Sequence, residues 1–271
     1  MGYFIKVNSN VKLYLEDINE KSDKVILFLH GWPGSHRLFE YQISYFAKKG
    51  YRCIGLDQRG FGNSDKPLEG YDYDTLSDDV RFVIEELGLK EINLVGHSTG
   101  GAIAVRYMAR HNGYAVSKLI LCAAAVPSLI RRTGFPYGIK EEVVKDIIKE
   151  TYSDRPNMLE EFGKIFFHKK VSKAFSEWFL QLGFQASLLA TAEIAKTWLN
   201  EEKLFCDARE IECETLILHG IYDKVCLFQL AEQQKKLINN SRIIKFEKSG
   251  HGLFYDEKNK FNRELEKFLS N

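Results

Sequence analysis

Apolar positions along this chain follow two alternating rhythms. Short, nearly unbroken runs rich in β-branched residues occur at Val25–Leu29, Arg52–Leu56, Ile92–Val95, Lys118–Cys122, Thr215–Leu218 and Arg242–Phe246. Such solid runs predict strands covered on both faces, as the strands of parallel sheets are. Two further strands are predicted at Tyr3–Val7 and Lys12–Asp17, joined through Asn8-Ser9-Asn10, small polar residues that tolerate turn conformations. Between the runs, apolar residues recur at helical spacing: Leu38, Tyr41, Tyr45 and Phe46 within Leu38–Lys49, then Leu76, Val80, Val83, Ile84 and Leu87 within Thr75–Leu87. Helices are also expected over Thr99–His111, Phe228–Leu237 and Asn259–Leu269. Strand and helix in regular alternation predict a mostly parallel, doubly wound α/β sheet of eight strands.

The rhythm lapses between Pro127 and Glu212. That stretch holds helical patterns rich in aromatics, clearest at Glu141–Glu150, Asn157–Phe167 and Lys173–Leu189, with Ser153 or Asp154 and the nearby Pro156 as a helix start. Because good strands flank it, the expected organisation is a core domain of residues 1–126 and 213–271 with a helical cap, 127–212, inserted after the sixth strand. The cap carries Phe135, Tyr137, Phe162, Phe166, Trp178, Phe179 and Trp198. Singly, each aromatic is most simply core; as a group they suggest an apolar pocket.

Composition narrows the partners. Lys+Arg number 38 against 37 Asp+Glu, a net charge of +1, which argues against nucleic acid. Leu119 to Val126, the longest apolar run, is far short of a membrane span, and Met1–Val7 lacks the basic start and apolar core of a signal peptide, so a cytoplasmic protein without a membrane partner is expected. The five cysteines show no C-x-x-C spacing, which disfavours a zinc or redox site, and no other metal-ligand cluster stands out. Assembly into a homo-oligomer is compatible with the sequence but not required by it.

The strongest chemical signal is Gly96-His97-Ser98-Thr99-Gly100-Gly101, which follows the strand Ile92–Val95 and opens a helix. A serine on so sharp a strand-to-helix turn needs small neighbours, and the helix start turns free N–H groups toward it. A nucleophilic serine requires a base and a group that orients the base. In the order serine, acid, histidine, Asp223 follows the strand ending at Leu218, and His251 follows the strand ending at Phe246. Asp57 precedes Ser98 and breaks that order, and Asp256 is expected to start the last helix. Of the seven histidines, His30 and His219 read as structural, His97 should point away from Ser98, and His36, His111 and His168 lack a matching constellation. The oxyanion donors are expected to be the backbone N–H of Thr99 and that of Trp32, on the loop His30-Gly31-Trp32-Pro33-Gly34-Ser35. Pro33 has no N–H to donate and biases Trp32 toward an extended backbone.

Together these residues resemble the α/β-hydrolase superfamily over essentially the whole chain. Asp57-Gln58-Arg59-Gly60-Phe61-Gly62-Asn63-Ser64-Asp65 is similar to a recurring loop of that superfamily, read here as bracing the sheet edge. Within it, Gly-His-Ser-Thr-Gly-Gly at 96–101, Trp32-Pro33 after His30-Gly31, and Ala-Val-Pro-Ser at the start of the insertion resemble the cofactor-free haloperoxidase (perhydrolase) and aryl-esterase group. The cap stretch from Ser153-Asp154-Arg155-Pro156 to Phe166-Phe167 resembles that group too. The resemblance implies serine-dependent hydrolysis of small carboxylic esters, with a side reaction in which hydrogen peroxide yields a peracid, and it implies no cofactor. Trp32, Phe135, Phe162, Phe166 and Trp178 are the candidate substrate contacts. The cap is the least similar region, and Gly34 stands where the group often has a bulkier apolar residue. The same frame runs amide, lactone and carbon–carbon hydrolysis, and some proteins of this fold are ligand receptors; epoxide and haloalkane chemistry usually needs a carboxylate nucleophile, which Ser98 is not.

Overall fold

The computed structural model describes residues 1–7 and 11–270, so the turn expected at Asn8-Ser9-Asn10 lies outside the described residues. Eight strands form one sheet: β1 (Gly2–Val7), β2 (Val11–Ile18), β3 (Val25–Leu29), β4 (Arg52–Leu56), β5 (Ile92–His97), β6 (Val116–Cys122), β7 (Glu214–Gly220) and β8 (Ser241–Phe246). Their spatial order is β1-β2-β4-β3-β5-β6-β7-β8. Only β1 with β2 and β2 with β4 pair antiparallel; the rest of the sheet is parallel. The apolar run of β3 is buried at every position, as a central strand with helices on both faces must be.

The core helices are α1 (Glu40–Lys48), preceded by a 3-10 turn at His36–Phe39, then α2 (Tyr73–Glu86) and α3 (Thr99–Arg110). The Asp72 side chain caps α2 by accepting from the Thr75 N–H. Between β6 and β7 come α4 (Glu141–Phe166), α5 (Lys173–Gln185), α6 (Leu188–Asn200) and the short α7 (Leu204–Asp207), and no named strand. After β7 come α8 (Gln229–Leu237), α9 (Leu253–Asp256) and α10 (Lys258–Leu269). Among the described residues no helix is long and apolar enough to cross a membrane.

Within α4 the Asp154 backbone leaves the helical region two residues before Pro156, so the element is two helices meeting at a kink, at the helix start expected from Ser153, Asp154 and Pro156. Asp154 Oδ1 accepts from the Asn157 N–H at 3.2 Å and so restarts the helix. The single helix expected over Lys173–Leu189 is instead two, because Ser187 turns extended and caps α6 through the Ala190 N–H. Asp256 closes α9 rather than starting α10.

Candidate active site

The β5–α3 junction places Ser98 at φ 54° and ψ −120°, left-handed backbone that non-glycine residues rarely adopt. Holding it there costs on the order of 1–3 kcal/mol, which the surrounding packing must offset. At Gly100 a Cβ would lie 2.3 Å from the Leu29 carbonyl oxygen, so only glycine lets α3 start this close to β3. The loop after β3 closes over the other side. A Cβ on Gly31 would stand 2.6 Å from His97 Nδ1 and 2.8 Å from Ser98 Cβ, which brings the chain leading into Trp32 against the serine.

The acid and the base come from the loops after β7 and β8. His251 Nδ1–H donates to Asp223 Oδ2 at 2.8 Å, and both residues are buried. The other ring nitrogen, Nε2, is buried with no hydrogen-bond partner. The Asp223 carboxylate also accepts from the backbone N–H groups of Val225 at 2.8 Å and Cys226 at 2.9 Å. Burial opposes ionisation of Asp223. The attraction of His251, with the hydrogen bonds from His219 and His251, outweighs it and holds the carboxyl below the usual carboxylate range. An ionised, fully hydrogen-bonded Asp223 fixes the tautomer of His251 and leaves Nε2 free to accept a proton.

Neighbours without a motif complete the assembly. His219 Nε2–H donates to the Cys226 carbonyl at 2.7 Å and lies 3.3 Å from Asp223 Oδ2, so it supports the acid as well as the loop. Its one local signal is that it precedes Asp223 by four residues. Cys226 places Sγ 3.9 Å from Ser98 Oγ. Burial, then the nearby Asp223, push this thiol well above its ordinary range, so it is a neutral neighbour of the serine. His97 Nε2–H donates to the His251 carbonyl at 3.1 Å, and its ring packs among His251, Phe254 and Phe39.

The insertion packs directly on this assembly. Phe166 sets its ring edge-to-face against His251 at 4.9 Å, and its carbonyl accepts from the Gly252 N–H at 2.9 Å. Asp256 accepts from the Gly250, His168 and Lys169 N–H groups and clasps the His251 loop to the end of α4. Trp32 meets Phe162 at 5.0 Å and Trp198 at 5.1 Å, both edge-to-face. Trp32, Pro33, Leu159, Phe162, Phe166 and Phe179 line a narrow apolar cleft with a free interior of about 10 Å³, room for one water. Phe135 and Trp178 are placed elsewhere: Phe135 packs on Tyr137 and Phe205, and half-buried Trp178 on Phe175. Among the described residues no group of three or more His, Cys, Asp or Glu is arranged to hold a metal ion.

The loop Asp57 to Asp65 is a brace. Asp57 Oδ1 accepts from the His36 N–H at 2.7 Å, Ser64 Oγ–H donates to the Asp57 carbonyl at 2.6 Å, and Lys12 N–H donates to Asp65 Oδ2 at 2.8 Å.

A serine on a strained strand-to-helix turn, a histidine–aspartate pair at the same sheet edge and a helical segment over both define an α/β hydrolase. The family model described as alpha/beta hydrolase fold matches residues 24–258, and the chain belongs to that family of enzymes. The AB hydrolase superfamily protein YisY of Bacillus subtilis (strain 168) is 46% identical over 268 residues, covering 99% of each chain. An esterase from Exiguobacterium antarcticum superimposes with a TM-score of 0.97 at 42% identity, covering 100% of both chains. The bifunctional esterase/perhydrolase DCH of Acinetobacter calcoaceticus is 29% identical over 280 residues, covering 99% of each chain.

Proposed function

We propose that this protein is a serine-dependent hydrolase of small carboxylic esters that works through an acyl-enzyme, with perhydrolysis as a side reaction. The observation that carries the reading is the 2.8 Å hydrogen bond from His251 Nδ1–H to Asp223, which leaves Nε2 bare at the sheet edge that bears Ser98. Ser98 Oγ gives its proton to His251 Nε2 and attacks the ester carbonyl carbon. The oxyanion is held by the N–H of Thr99, at the start of α3 where no intrahelical acceptor exists, and by that of Trp32. His251 then protonates the departing alkoxide. Water, deprotonated by His251, cleaves the acyl–Ser98 bond and releases the carboxylic acid; hydrogen peroxide in its place releases a peracid. Helices α4–α6 act as a cap, with Trp32, Phe162 and Phe166 against the substrate, and their apolar side chains suit an uncharged acyl group.

Ser98→Ala is expected to abolish hydrolysis of p-nitrophenyl acetate and labelling by a fluorophosphonate while leaving the thermal melt in place. Turnover that survives in a folded Ser98→Ala protein would remove Ser98 from its role. The peroxide branch is supported by Pro33, whose ring restrains the Trp32 carbonyl that a peroxide hydrogen would meet. Pro33→Leu is expected to lower the ratio of peracid formed to acid formed; an unchanged ratio would make Pro33 a turn residue only.

A further inference from the structure

The side chains of both oxyanion residues are tied to one helix of the insertion. Trp32 Nε1–H donates to the Thr191 carbonyl at 3.0 Å. Trp198 Nε1–H donates to Thr99 Oγ1 at 3.2 Å. Thr191 and Trp198 both lie on α6, seven residues apart, a span of about 10 Å along the axis. All four side chains are buried, and the two indoles meet edge-to-face at 5.1 Å. The helix is itself pinned at each end. The Ser187 N–H donates to the Gly60 carbonyl at 2.9 Å. At the other end Arg132 Nη2 donates to the carbonyls of Trp198 at 3.2 Å, Leu199 at 3.1 Å and Glu201 at 2.5 Å.

We propose that α6 sets the spacing of the oxyanion hole, with Trp198 as a positioning residue that acts through Thr99. The inference rests on the reading of Thr99 and Trp32 as oxyanion donors. Neither bond to α6 uses a backbone N–H of those residues: Trp32 engages with its indole and Thr99 with its hydroxyl. The backbone donors therefore stay available while their residues are held from the side. Donors fixed before the reaction favour the tetrahedral oxyanion over the planar ground-state ester, because no reorganisation is needed as charge develops. Losing the Trp198–Thr99 bond should consequently lower kcat more than it raises KM.

The test compares Trp198→Phe, Thr99→Val and the double variant with the parent enzyme, using p-nitrophenyl acetate and a trifluoromethyl ketone that forms a tetrahedral adduct with a serine. Each single variant should lose about 10- to 100-fold in kcat, less than deleting a donor outright, with KM little changed. Ketone affinity should fall in step with kcat/KM. The double variant should be no worse than the poorer single one, because both remove the same bond. Thr99→Val leaves both indoles in place, so it reports on the bond even if Trp198→Phe fails to fold. Parental kcat in either folded single variant, or losses that multiply in the double, would overturn the proposal. Ser98→Ala, run alongside, separates this outcome from failure of the hydrolase reading: an active Ser98→Ala would remove the reading itself.

Discussion

His97 adjoins Ser98 in sequence and His251 in space, with ring centroids 4.5 Å apart. Burial first, then the nearness of His251, hold its imidazole well below the usual histidine range, so in the fold it is neutral. In the unfolded chain it titrates near pH 6.5. As pH falls below that value the unfolded state takes up a proton that the folded state refuses, and stability is lost. Unfolding free energy should therefore rise with pH up to about 6.5 and then level off. Its slope below that point is up to about 1.4 kcal/mol per pH unit for this residue. Buried His30 is lowered by the same cause and adds to the slope. His97→Gln keeps a donor for the His251 carbonyl and should flatten the acid limb in urea unfolding at pH 5, 6 and 7. Equal slopes for the two proteins would place the titration on other groups. The sequence carried enough to nominate His251 and Asp223, which the fold joins by a 2.8 Å hydrogen bond, because their chain order and strand-end positions can be read along the chain. It carried no sign of Trp198 against Thr99, a contact between residues 99 positions apart.

At the level of elements, the inner parallel strands were legible because burial on both faces leaves a solid apolar run, whereas β8, expected to be covered on both faces, is an edge strand buried only at Phe246. The helices between β6 and β7 were less legible. The Lys173–Leu189 pattern runs on without an apolar interruption, yet one capping serine at 187 splits it, and α6 then extends to Asn200. The position of α6 is governed from outside. Gly60, at φ +84°, tolerates this loop conformation, and a Cβ there would reach 2.3 Å from the Cβ of Ala190. The brace loop thus grips the insertion as well as the sheet. Arg132 is the counterpart at the C-terminal end, where three carbonyls without helical partners receive one guanidinium. Arg132→Ala should cost about 2 kcal/mol of stability, measured by denaturant unfolding, since it strands charge-assisted hydrogen bonds in a half-buried setting. A loss within experimental error would mean that water satisfies those carbonyls equally well.

Across the whole molecule, the alternation of strand and helix foretold the sheet, and the lapse between β6 and β7 foretold where helices would be inserted. How those helices meet the sheet could not be read along the chain, because it depends on contacts such as Gly252 with Phe166 and Gly250 with Asp256, made between loops and helix ends. Phe135 and Trp178 illustrate the limit: an aromatic is visible in a sequence, but the direction it faces is decided by packing. The clasp at the end of α4 has a mechanical consequence. Phe166 and the carboxylate of Asp256 bind the segment just after α4 to the residues on either side of His251. Any displacement of the end of α4 is therefore passed to the loop that carries His251, from both sides of the ring at once.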